Sequence, residues 1–111
     1  MMSKVLTLKE NRDFQRLYRR GKSYVSPEVV TYVMKNKTDA VRYGITTGKK
    51  IGNAVKRSRA RRVIRAAFGN LSPNILSGCD IVFVARGKTP FVKSTAVEKA
   101  MLDHLTQAGL L

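Results

Sequence analysis

At 111 residues the chain is long enough to bury one core without disulfides or a structural metal, and its length predicts a single domain over residues 1–111. A composition of 43% hydrophobic and 26% charged residues is ordinary for a globular protein, but a net charge of +15 and a pI near 10.7 are not. Charge of one sign repels itself, so the expected partner is a polyanion, either nucleic acid or an anionic membrane surface.

The opening MMSKVLTLKE lacks the apolar run and cleavage site of a secretory signal. A helix is predicted from about Arg12 to Arg20, with Asn11 as N-cap, Asp13 in the first turn and Gly21 as the C′ glycine. Phe14, Leu17 and Tyr18 share one face of it, and Arg12, Arg16, Arg19 and Arg20 occupy the rest. The three apolar side chains read either as core or, for the two aromatics, as a stacking surface beside positive charge.

From Lys22 the period changes to two. Strands are predicted near Ser23 to Val25, over Val29 to Lys35 (VVTYVMK) and over Val41 to Thr47, with a break at Pro27 and a turn at Asn36 to Asp39. They are expected to pair as an antiparallel meander. VVTYVMK is apolar on both faces, and one of them can carry Tyr32 into a binding surface.

The loop GKKIG leads to Asn53, a good N-cap, and to a helix expected to run to Phe68 and stop at Gly69 and Asn70. At about 100° per residue, Ala60, Val63, Ile64, Ala67 and Phe68 form its buried stripe. Ser58, Arg59, Arg61, Arg62 and Arg65 lie on the exposed side, and Arg57, Arg61 and Arg65 form an i, i+4, i+8 ridge. Lys56 and Arg57, in the first turn, are expected to emerge at the sheet edge and face a cleft.

Asp80 then introduces IVFVA, Ile81 to Ala85, a strand of the kind buried on both faces. It is also the longest apolar run, far short of the roughly 20 residues that cross a bilayer. A last helix starts near Ser94 or Thr95, where Thr95 and Glu98 have capping-box spacing, and buries Val97, Met101, Leu102, Leu105 and Ala108. The element order is αβββαβα.

Chemistry-bearing residues are sparse. The single cysteine, Cys79, excludes an internal disulfide, fits a reducing compartment and reads as a small buried side chain. His104, the single histidine, has no partner motif and reads as a surface or interface residue. The seven carboxylates are scattered without paired or metal-ligand spacing, and GKKIGN lacks the glycine spacing and Lys-Ser/Thr ending of a phosphate loop. Catalysis by protein groups is not expected, and no metal or cofactor is expected on the protein.

The basic helix carries the strongest signal. Between Ala40 and Cys79 there are nine Lys or Arg and no Asp or Glu, and six basic residues fall between Lys56 and Arg65. No acidic i, i+4 partner neutralises them, so repulsion remains until phosphate arrives. Five of the six are arginine, whose planar fork holds phosphate bidentately. Neutralising about six phosphates on a single strand gives a salt slope near −4. A membrane-surface role needs an unburied apolar helix face, which this chain uses for its core.

KKIGNAVKRSRARRVIRAAF resembles the signature of the bacterial ribonuclease P protein subunit, and the likeness extends through NRDFQRLYRRG and GCDIVFVAR, covering roughly Leu8 to Leu105 within a core of about 8–106. The resemblance implies an α+β, two-layer αβββαβα sandwich with a left-handed βαβ crossover. It implies a non-catalytic subunit of an endoribonuclease that binds the catalytic RNA and the 5′ leader of precursor tRNA in the bacterial cytoplasm, with no membrane and no protein partner required. Magnesium is expected for a reaction catalysed by the RNA.

Carried over by position, RNA-binding residues are Lys49, Lys50, Asn53, Lys56, Arg57, Ser58, Arg59, Arg61, Arg62 and Arg65, and the leader cleft holds Phe14, Tyr18 and Tyr32. Two departures stand out: Ser58 occupies a position where the family commonly has Asn, and Gly48 precedes the lysines where Ser is common. A ribosomal or other structural RNA-binding protein, and a stand-alone nuclease, are the rival readings; clustered carboxylates for the latter are missing.

Overall fold

The computed structural model describes residues 5–111; residues 1–4, part of the arm read above for a secretory signal, lie outside the described residues. In chain order the elements are β1 (Val5–Thr7), α1 (Asn11–Arg20), β2 (Lys22–Val25), β3 (Val29–Lys35), β4 (Val41–Thr46), α2 (Ala54–Leu71), β5 (Cys79–Ala85) and α3 (Ser94–Gln107). The strands form one sheet in the order β1-β4-β5-β3-β2. The α+β class is as expected, with β1 as an added edge strand.

The expected meander is corrected. β2 and β3 do pair antiparallel, but β3 and β4 are not neighbours, because β5 lies between them, antiparallel to β3 and parallel to β4. The cause is β5 itself. Ile81, Val82 and Phe83 are all fully buried, so both faces need cover and the strand takes the central place. β4 reaches it through α2, the βαβ connection that the resemblance implies.

The β3–β4 loop therefore steps over the start of β5 instead of making a hairpin. Asn36 organises that step. Its amide donates to the Ala40 carbonyl (3.1 Å) and to Asp80 Oδ1 (2.9 Å), while its own oxygen accepts from the Thr38 N–H (3.0 Å) and hydroxyl (2.9 Å). Gly78 passes beneath: a Cβ there would stand 1.7 Å from the Thr38 carbonyl oxygen, which only glycine avoids.

α2 and α3 pack together on one face of the sheet, where Ile64, Phe68, Ile81, Phe83, Met101 and Leu105 form the main core. α1 lies across the other face and buries Leu17 against Leu8 and Val82.

Several local expectations change. α1 begins at Asn11, with Glu10 in the cap position and no side-chain cap, because Glu10 pairs with Arg12 instead. Gly21 follows α1 in an extended conformation (φ −74), not a left-handed one. α2 continues through Gly69 and Asn70 to bury Leu71, and ends where Ser72 and Pro73 tighten into a 3-10 turn. The Thr95–Glu98 capping box does not form: Glu98 instead accepts a 2.7 Å bond from the Asn70 amide at the far end of α2. Leu102 is exposed, and Ala108 is half-buried against the core.

Candidate nucleic-acid interface

Asn53 caps α2 as expected, its Oδ1 accepting the Lys56 N–H at 3.0 Å. Before it, Lys49 and Lys50 are exposed on a 3-10 turn, Lys49–Ile51, anchored by buried Ile51. The helix then divides by face. Ala60, Ile64, Ala67, Phe68 and Leu71 are buried, with Val63 half-buried at the margin. Ser58, Arg59, Arg61, Arg62 and Arg65 are exposed, and Arg57 is half-buried at the head of the ridge. Among the described residues none of these α2 cations has a carboxylate within ion-pair distance. The charge is thus open to an external anion.

The arginines separate onto two flanks. Arg61 and Arg65 look towards the α1 side, where they line a cavity of about 190 Å³ with Phe14, Gly44, Ile45 and Leu8. Arg59 and Arg62 lie on the other flank, against the segment that leads into α3. Lys56 does not line that cavity; its ammonium stands 5.5 Å over the Phe91 ring, on the Arg59 side.

The three predicted aromatics do come together. Phe14, Tyr18 and Tyr32 all pack, half-buried, around Leu8, Leu17 and Val82, with Met34 and Val84. Tyr18 and Tyr32 meet edge to face, their ring centroids 5.1 Å apart. The Tyr18 hydroxyl is 2.7 Å from the Thr46 hydroxyl, so its polar end is satisfied without closing the face. Phe14 lies directly on Gly44. A Cβ there would be 2.4 Å from Phe14 Cζ, so the bare backbone of β4 is what admits the ring. Core packing and an open aromatic surface, the two readings left standing from the sequence, are both partly realised in the same side chains.

A buried polar cluster sits at the start of β5. Asp80, almost fully buried, accepts from Arg42 Nε (2.8 Å) and Nη2 (2.6 Å) and from Asn36. The hydrogen bond to Asp80 holds the Arg42 proton more tightly than usual.

His104 is corrected from a surface to a buried residue. Its ring nitrogens lie 2.7 Å from the Ser26 hydroxyl and 2.8 Å from the Thr31 hydroxyl, and Tyr24 stacks beside it. Burial lowers its pKa, against the opposing pull of Asp103 and Glu28. Cys79 is fully buried as expected, and desolvation pushes its thiol up to about 12, so it stays protonated and inert.

Among the described residues no group of three or more His, Cys, Asp or Glu is placed to hold a metal ion. No described helix is long and apolar enough to cross a membrane.

Gly44, Thr46 and Phe91 are the neighbours that sequence reasoning missed. A glycine in the middle of an otherwise alternating strand was the available signal for the first. The other two carried none.

Residues 2–109 match the family described as Ribonuclease P. The chain is 45% identical over 104 residues to the ribonuclease P protein component of Clostridioides difficile, covering 93% of this chain and 91% of that one. It is 40% identical over 111 residues to that of Clostridium novyi, covering 98% of each. The solved ribonuclease P protein of Staphylococcus aureus superposes with a TM-score of 0.81 at 34% identity, over 94% of this chain and 95% of that one. The Thermotoga maritima protein gives 0.79 at 30% identity, over 91% and 96%.

Proposed function

Because the chain belongs to the ribonuclease P protein family, and is therefore a protein component of that enzyme that associates with its RNA, we propose that it captures the 5′ leader of precursor tRNA on its α1 face while the RNA performs the cleavage. The ribosomal alternative is not favoured by these relatives. The observation that carries the leader reading is the cavity in which Phe14 on Gly44 meets Arg61 and Arg65 with no carboxylate among the lining residues. Unpaired bases stack on an aromatic face whatever their identity, and guanidinium groups neutralise the adjoining phosphates; together these give the sequence tolerance that varied leaders require.

The chemistry is hydrolysis of a phosphodiester, with magnesium ions held by the RNA. The protein's part is to bind and orient. Lys49, Lys50 and Asn53 at the head of α2, and Ser58 with the arginines along it, contact RNA backbone; the Ser58 hydroxyl donates to phosphate where the family commonly presents an amide. The subunit acts in the bacterial cytoplasm beside its RNA, without a further protein partner.

Reconstitution tests this reading. Purified chain mixed with a ribonuclease P RNA at low magnesium is expected to raise precursor tRNA cleavage above that of the RNA alone. A correctly folded chain that gives no stimulation contradicts it.

A further inference from the structure

The second arginine-bearing flank of α2 is unused by leader capture. Arg59, Arg62 and Val63 form one wall of a groove of about 820 Å³, and Phe91, Lys93 and Ser94 form the other, at the corner where a 3-10 turn, Thr89–Phe91, runs towards α3. No carboxylate lines it.

The corner is firmly held. Thr89 and Pro90 are buried, and the Thr89 hydroxyl donates to the Glu28 carbonyl (2.6 Å) while accepting the Arg86 N–H (2.8 Å). The Phe91 N–H bonds the Lys88 carbonyl at 3.0 Å, and Val92 packs against the main core. Phe91 itself is nonetheless 68% exposed. An anchored backbone that holds a phenyl ring in solvent, bordered by Lys56, Arg59, Arg62 and Lys93, combines apolar surface with positive charge. α3 begins there without a side-chain cap, which adds the partial positive charge of its first turn.

We propose that this groove is a second RNA-binding site, which takes an unpaired nucleotide of the ribonuclease P RNA with its base stacked on Phe91 and its phosphates on Arg59, Arg62 and Lys93. The inference rests on the leader reading above. The groove shares no lining residue with the Phe14 cavity, so a strand lying in that cavity leaves this groove open. The RNA with which the subunit associates is then the polyanion left to fill it.

The test measures affinity of the full chain for ribonuclease P RNA across a salt series. Phe91→Ala is expected to weaken binding about tenfold, Phe91→Leu to do the same, and Phe91→Trp to bind as wild type, because a ring is what stacking needs. The salt slope stays unchanged in Phe91→Ala and shrinks by about 0.7 in Arg62→Gln. Chemical probing is expected to find an unpaired nucleotide protected by the wild-type chain and reactive again with Phe91→Ala. The affinity gained from a tRNA leader stays intact in Phe91→Ala.

Wild-type affinity in Phe91→Ala, or in Phe91→Leu, overturns the proposal, and so does loss of the leader-dependent gain at unchanged RNA affinity, which assigns the groove to the leader. If the wild-type chain fails to bind the RNA at all, the functional reading falls first and this inference with it.

Discussion

On the α2–α3 face of the sheet, Ile64, Phe68, Ile81, Phe83 and Met101 are all 2% exposed or less, whereas in the apolar cluster of the α1 face Leu8, Leu17 and Val82 are buried and Phe14, Tyr18, Tyr32, Met34 and Val84 stay half-exposed. The same central strand supplies both faces, residue by alternate residue. What differs is the cover: two helices of 18 and 14 residues on one side, a single helix of 10 on the other. Stability is therefore concentrated on one face, and the other keeps ordered aromatic surface available to a ligand.

The largest effect is expected from breaking the closed face. Phe68→Ala removes a ring packed against Tyr43 and Phe83 at centroid distances of 4.9 and 5.0 Å. It is expected to cost about 3–5 kcal/mol, read as a large fall in Tm or in denaturation midpoint. A loss under about 1 kcal/mol would remove the distinction between the faces.

Asp80→Ala comes next. It strands Arg42 and the Asn36 amide, and because Arg42 keeps part of its side chain in solvent the expected loss is about 2 kcal/mol rather than that of a fully buried pair. Chemical denaturation measures it.

Gly44→Ala sharpens the comparison on the open face. The added methyl displaces the Phe14 ring, so stability is expected to fall by about 1 kcal/mol while affinity for leader-bearing precursor falls several-fold. Unchanged leader affinity with Phe14 displaced would separate the ring from the cleft's function.

The smallest effect concerns pH. The unfolded chain binds a proton on His104 near the ordinary value of 6.5, and the folded chain resists it. The stability contributed by this site is thus present above that value and lost as pH falls through the lowered folded pKa. Tm should decline as pH falls below the ordinary histidine value of 6.5, and His104→Gln should flatten that decline. An unchanged slope would place the titration elsewhere.

How much of this was legible depended on whether the signal was local. The capped arginine helix, its buried stripe and the doubly covered IVFVA strand follow from period and residue type alone. The three aromatics were visible as a group only through the family resemblance. The order of the sheet was not legible, because the Asn36–Ala40 loop that steps over β5 reads locally as a turn between paired strands. β1 spans three residues, too few for a period to show. His104 finds its hydroxyl partners 73 and 78 positions away, beyond any sequence spacing rule. Phe91 sits in a short turn where no pattern separates an exposed aromatic from a buried one.

The open face stands or falls on leader dependence. In the reconstituted enzyme, affinity is measured for precursor tRNA with a long leader and with none, for the wild type and Phe14→Ala. Leader capture on the α1 face predicts that the substitution lowers affinity for the long-leader substrate about tenfold, the weight of one base stack, and leaves the leaderless substrate unchanged. Equal losses for both substrates contradict it.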